Sequence, residues 1–437
     1  MAAKHIRLTE FVREIEPQCL TQRSTEWYAM RGKIIGGSEI ASVIGKGFGG
    51  KGRDALLREK LGISAKFAGN NYTQWGVLFE PLSREFTERI LLMPEPILEI
   101  GSMPTPIDFL RYSPDGVGVA ELKLTSSNND NKKCYIILFE FKSPWGSIPE
   151  CKVPEYYRPQ VLTGLMAIEM CDIGLFVNNM FRRCPLAEVS LANQTTRKYD
   201  AIYHNDAAAH KRAPLRRLNA RHSGALAAGI ILFVISPEMI ARLEEYRAQL
   251  SDHSGACESF EQINLFSHAR DHALLSEKKE LIDFGACAAD QFNRALALFD
   301  AKILQAIYVR MNIFSEAAAV IPLANMRETV DHTVDLQSHL DAAIVAQMQT
   351  GALCTGYLPY KLLGSDVLPV SRDVNWRATV EPKVRETIKM LHECSAAANP
   401  ANKLDELMNL NLPQADDLAE SIAGLASLTF LDSLETD

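Results

Sequence analysis

The chain has 437 residues, with 46 Lys and Arg against 54 Asp and Glu, for a formal net charge of −8. The length exceeds a usual single domain and supplies ample core. Ordinary apolar content excludes a disordered chain, and no apolar run nears the roughly 20 residues that span a bilayer. The N-terminus lacks a signal-peptide core, so an intracellular protein without membrane contact is expected. Nine cysteines, none in a Cys-x-x-Cys pair, fit a reducing compartment with structural thiols. A net acidic chain argues modestly against a polyanionic ligand. A basic channel can nonetheless exist on an acidic molecule, because the local field in a cleft governs binding.

In chain order, Thr25 to Arg31 reads as a helix. It is followed by the turn Ile35-Gly36-Gly37-Ser38 and a helix over Glu39 to Ile44, so that Ser38 falls near a helix N-terminus. From Tyr72 to Leu92, the spacing of Trp75, Leu78, Phe79, Leu82, Phe86 and Ile90 predicts a long amphipathic helix carrying Glu80 beside its apolar stripe. Phe109 to Ser113 and Val117 to Leu124 read as strands, Thr125 to Lys133 as a hairpin loop, and Cys134 to Lys142 as the partner strand. Alternation puts Ile136, Leu138, Glu140 and Lys142 on one face, and Tyr135, Ile137, Phe139 and Phe141 on the other.

A helix over Pro154 to Glu169 carries Tyr156, Tyr157 and Gln160. A buried strand follows at Cys171 to Val177, then a loop with Arg182, Arg183 and Lys198. Gly229 to Ile235 reads as a second buried strand. Ser236-Pro237-Glu238 caps a helix to about Leu250, and mostly helices follow, with breaks near Gly351 to Gly364 and at Asn399-Pro400. These patterns divide the chain into an α/β core over residues 1–250 and a mainly helical region over 251–437.

Ser113-Pro114-Asp115-Gly116 and Phe139-Glu140-Phe141-Lys142-Ser143-Pro144 carry the chemistry. Phosphodiester hydrolysis needs a hard cation against the scissile phosphate. Asp115, Glu140 and the backbone carbonyl of Phe141 are oxygen ligands suited to magnesium, with manganese as a substitute. Lys142, projecting with Glu140, would orient the attacking water. Glu121-Leu122-Lys123 is a second Glu-x-Lys, closer in sequence to Asp115. It lies on the same strand, however, and a short strand cannot fold back to bring both carboxylates to one ion.

Five blocks follow one another: Trp27-Tyr28-Ala29-Met30-Arg31 with Gly37-Ser38, Trp75-Gly76-Val77-Leu78-Phe79-Glu80-Pro81, the Asp115 block, the Glu140 block, and Tyr156-Tyr157-Arg158-Pro159-Gln160-Val161. Jointly they resemble the lambda exonuclease superfamily, the YqaJ-like viral recombinases, to which herpesvirus alkaline nucleases are related. The resemblance implies a restriction-endonuclease-like core of mixed sheet flanked by helices. It makes Glu80, Asp115 and Glu140 the acidic site residues, Lys142 the water activator and Gln160 a positioning residue. Arg31 and Ser38 would hold a terminal 5′-phosphate, as expected of a guanidinium and a helix N-terminus. It further implies digestion of double-stranded DNA ends from 5′ to 3′ in viral or phage-type recombination. A single-strand annealing protein is an expected partner, a homo-oligomer is an open question, and a nuclear location follows if the chain is herpesvirus-like. An RNA-directed host-shutoff nuclease and a catalytically inactive nucleic-acid-binding module stay open as alternatives.

His253, Cys257, His268 and His272 have a spacing compatible with zinc. Cys151, Cys171 and Cys184 lack the grouping an iron–sulfur cluster needs. The basic run Lys211 to Arg221 fits a DNA channel, an import signal or a solvated loop, and the acidic, apolar tail fits a docking peptide or a frayed end.

Overall fold

The computed structural model describes residues 1–22, 24–64, 70–122, 133–145, 152–184, 186, 189, 227–252, 282–283, 289–309 and 336–410. The zinc-compatible quartet, the basic run, Lys123, Lys198, Cys151 and the tail lie outside them.

The elements run α1 (Ala2–Ile15), α2 (Thr25–Arg31), β1 (Ile35–Gly36), α3 (Ile40–Val43), α4 (Arg53–Lys60), α5 (Asn71–Ile90), β2 (Met103–Pro104), β3 (Leu110–Tyr112), β4 (Gly116–Leu122) and β5 (Lys133–Lys142). Then come α6 (Arg158–Ala167), β6 (Ile173–Arg183), β7 (Ala227–Ile235), α7 (Pro237–Asp252), β8 (Ile282–Asp283), α8 (Ala289–Asp300), β9 (Gln305–Val309), α9 (Leu336–Gln349), β10 (Leu353–Val370), α10 (Trp376–Ala396) and α11 (Pro400–Leu410). The expected mixed α/β class is observed. The main sheet has the order β4-β5-β6-β10-β7-β9, with β8 beside β10. Only β5–β6 and β10–β8 pair in parallel within it.

The alternation read along β5 sorts its side chains as expected. Ile137, Phe139 and Phe141 join one core with Trp75, Leu78, Phe79, Leu82 and Phe86 of α5 and with α8. Ile136 and Leu138 join a second core with α1, α3, α4, α6 and α10 on the opposite face. Each large apolar side chain so buried contributes about 1.5–3 kcal/mol. α5 begins where Asn70 Oδ1 accepts from the amides of Tyr72 and Thr73, both at 3.1 Å, offsetting amides that a helix start leaves unpaired.

Helices prevail among the described residues after 250, but the longest strand also lies there. β10 occupies the stretch read from sequence as a break between helices. It enters the sheet between β6 and β7, antiparallel to both, so the division drawn at 250 crosses one sheet. Its Pro359, Pro369, Lys361 and Asp366 conflict with the usual look of a central strand. Irregular register at Cys354/Gly356 and Leu362/Ser365 accommodates them. Arg182 and Arg183, expected in a loop, end β6 instead, and Arg182 is buried. Among the described residues, no helix is long and apolar enough to cross a membrane.

Candidate active site

A tight antiparallel hairpin sets the centre of the site. Gly116 of β4 lies opposite Phe139 of β5, which puts Asp115, just before β4, beside the Glu140-Phe141-Lys142 end. The Phe141 amide donates to Asp115 Oδ2 at 2.8 Å, so the carboxylate is oriented by the backbone of the strand that carries its partners. Lys142 Nζ donates to Glu140 Oε1 and stands 3.8 Å from Asp115 Oδ2. Two carboxylates far apart in sequence thus converge on one ammonium group. Glu121 is exposed and paired with Cys134, six residues along β4 from Asp115, a separation of about 20 Å at 3.3 Å per residue. The competing Glu-x-Lys assignment is excluded on that ground.

Glu140 is fully buried. Burial and then the Asp115 charge push its pKa up to about 8, against the pull of Lys142 and of the Tyr112 hydroxyl. For Lys142, burial opposes the charge, but Glu140 and Asp115 outweigh it and hold the ammonium well above its ordinary range. The cluster as a whole therefore holds protons more tightly than its separate groups. Tyr112 Oη donates to Glu140 Oε2 at 3.2 Å, and burial raises that phenol as well. The Tyr112 ring is wedged between two glycines. A Cβ on Gly37 or on Gly164 would each lie 2.4 Å from it, so both positions must lack a side chain for Tyr112 to reach Glu140.

Three short strands build the rest of the site. β1 runs parallel to β3, with Gly36 opposite Arg111, and β2 pairs with β3 on its other side. This small sheet brings the Arg31–Ser38 segment alongside Arg111, Tyr112 and Asp115. Arg31, Ser38, Arg111, Tyr112, Asp115 and Gln160 line one cleft of about 180 Å³. Gln160, on the first turn of α6, reaches the cleft as expected.

Ser38 differs from expectation. It sits within a 3-10 turn, Gly37–Glu39, ahead of the four-residue α3, and the turn is capped by Glu39, whose Oε2 accepts from the Gly36 amide at 2.8 Å. Its exposed hydroxyl reaches the cleft as a wall residue and not as a helix cap.

Arg31 is half exposed, lies 4.8 Å above the Trp27 ring and stands 3.9 Å from Glu39 Oε1. Lys60 bonds Glu39 Oε2 at 2.8 Å, which neutralises the acid nearest Arg31.

Glu80 is not brought into the carboxylate cluster. Arg84, one turn along α5, stands 3.8 Å from Glu80 Oε1 and donates to the Asp115 carbonyl at 3.1 Å, so Glu80 communicates with Asp115 through that guanidinium. Ser83 Oγ and Ser143 Oγ, 3.0 Å apart, tie α5 to the end of β5. Sequence reading missed Arg111, Tyr112 and Arg84. Arg111 donates from Nε to Ser102 Oγ at 3.4 Å and from Nη2 to the carbonyls of Gln18, at 2.7 Å, and Ser102, leaving Nη1 outside these bonds. No local pattern marks such residues, since their partners lie on other elements.

Among the described residues, no group of three or more His, Cys, Asp or Glu side chains is arranged to hold a metal. Asp115 and Glu140 still fit a hard cation that keeps water and substrate oxygens in its shell, as magnesium does. Two acids, one fully buried, share a site where a single positive charge now opposes their repulsion.

Residues 26–170 match the YqaJ-like viral recombinase domain. The resemblance drawn from the five motif blocks holds over this stretch, which contains all of them. A protein of African swine fever virus, isolate Tick/South Africa/Pretoriuskop Pr4/1996, is 30% identical over 190 residues, covering 40% of this chain and 54% of the relative. The protein of the same name from strain Badajoz 1971 Vero-adapted gives the same figures. The chain spans about half the length of the curated relatives it matches. Among solved structures, the alkaline exonuclease LHK-Exo from Laribacter hongkongensis is similar at a TM-score of 0.27 and 22% identity, covering 36% of this chain and 73% of that one. The same figures hold for its complex with dAMP.

Proposed function

We propose that the chain is a magnesium-dependent exodeoxyribonuclease that digests duplex DNA from its 5′ ends in viral or phage-type recombination. The observation that carries this reading is the convergence of Asp115 and Glu140 on the Lys142 ammonium beside a cleft lined by Arg31, Ser38 and Gln160. Asp115, Glu140 and the Phe141 carbonyl would hold the cation, with manganese as a substitute. When bound, it supplies charge neutralisation at the phosphate and a more acidic water.

The chain's own residues do the rest. Lys142 donates to the attacking water and orients it, while Tyr112 fixes the Glu140 carboxyl by its hydrogen bond. Arg31 forks onto the terminal phosphate with the Ser38 hydroxyl beside it, and Gln160 positions the strand that is cut. Glu80 holds Arg84, which in turn braces the Asp115 main chain. A single-strand annealing protein that takes up the exposed 3′ strand fits this reading.

The test is cleavage of end-labelled duplex DNA and RNA by purified protein with magnesium, beside Asp115→Asn and Lys142→Gln. Release of nucleotides from DNA ends by the wild type and its loss in both variants is the expected result. A wild type inert on DNA overturns the reading.

A further inference from the structure

Phe48 is 76% exposed, and one such apolar side chain alone means little. Two features of its setting change that. First, the loop that presents it is built. The Gly47 amide donates to the Lys51 carbonyl at 3.1 Å, and the Gly50 amide to the Gly47 carbonyl at 3.0 Å. A Cβ on Gly47 would lie 2.2 Å from the Lys51 carbonyl oxygen, and Gly49 holds φ at 65°. Second, Phe48 starts a file of rings that ends at the site. Its centroid is 5.1 Å from that of Tyr156, edge to face, and Tyr156 is 4.5 Å from Tyr157. Lys142 Nζ lies 5.0 Å from the Tyr157 centroid.

The chemistry of the setting selects the occupant. A protein partner with an apolar face would need a broad apolar patch, whereas Phe48 has glycines beside it and the cations Lys46 and Lys51 flanking it. A π-face between ammonium groups suits a stacked base with its phosphates on either side. Resting on the nuclease reading above, we propose that Phe48 is a stacking platform for a nucleobase of the DNA strand entering the Asp115–Glu140–Lys142 site. The three ring spacings put that base within about four nucleotide steps of the cut, at roughly 3.4 Å per step in a duplex.

The test uses the full chain in a chelator and a 5′-phosphorylated duplex with 2-aminopurine at one of the four terminal positions. The wild type and Phe48→Trp are expected to quench the probe on binding. Phe48→Ala and Phe48→Leu should lose the quench and bind about 5- to 100-fold more weakly. Equal quench and affinity in Phe48→Leu and wild type, or a wild type that does not quench at any position, overturns the proposal. If Phe48→Ala melts below wild type, the Leu and Trp variants decide. Cleavage with magnesium, measured in parallel, separates the two readings. Quench without cleavage refutes the nuclease alone, and cleavage without Phe48-dependent quench refutes the platform alone.

Discussion

The two ends of the cleft are built on opposite principles. At one end, Glu140 is fully buried and Asp115 and Lys142 largely so, and the three side chains hold one another. At the other, Arg31 is half exposed, Ser38 faces solvent, and Arg111 is pinned by carbonyls with one end of its guanidinium outside those bonds. Charges concentrated away from water repel strongly and gain much from a counter-ion. Charges at the mouth are screened and act by recognition. The buried end should therefore govern rate and pH response, and the open end the choice of DNA terminus.

The sharpest break in this contrast comes from Asp115→Asn or Glu140→Gln, each expected to lower cleavage on the order of 10³-fold in a single-turnover assay. A loss below tenfold would remove the buried end from the chemistry. Lys142→Met leaves two facing carboxylates uncompensated and should destabilise the fold by about 3 kcal/mol, read by urea unfolding at pH 9. The loss should shrink toward pH 6. Glu140 has a folded pKa above its unfolded one, so its contribution to stability falls as pH rises from about 4.5 toward 8. A pH-independent loss would contradict the pairing.

A cation competes with the proton on Glu140. Manganese affinity by calorimetry should rise up to about tenfold per pH unit and level above about pH 8, with a proton released on binding at pH 7. At the open end, Arg31→Ala should cut the preference for phosphorylated over hydroxyl 5′ ends about tenfold; an unchanged ratio discards that role. Arg111→Lys, which keeps the charge and loses the fork, should lower the same ratio about threefold, and it is the smallest effect expected.

Much of this was legible in the chain because it depends on neighbours in sequence. The α2 helix, the β4–β5 hairpin and the facing of Glu140 with Lys142 follow from periodicity and turn chemistry. Ser236 was legible as a cap for the same reason, and its hydroxyl accepts from the Met239 amide at 3.3 Å. β10 was not legible. Its prolines, lysine and aspartate read as a break until β6 and β7 supply their hydrogen bonds on either side.

What the sequence by itself determined is the set of acids, the lysine and the strand that holds Glu140 and Lys142 together, since alternation along one strand needs no distant partner. Only the tertiary structure decided that Glu80 reaches Asp115 through Arg84, that Tyr112 braces Glu140 between two glycines, and that Arg111 joins Arg31 in one cleft. Those contacts join α5, the β1–β3–β2 sheet and α6 across dozens of residues. Their energies depend on burial and distance, which arise only when the elements pack.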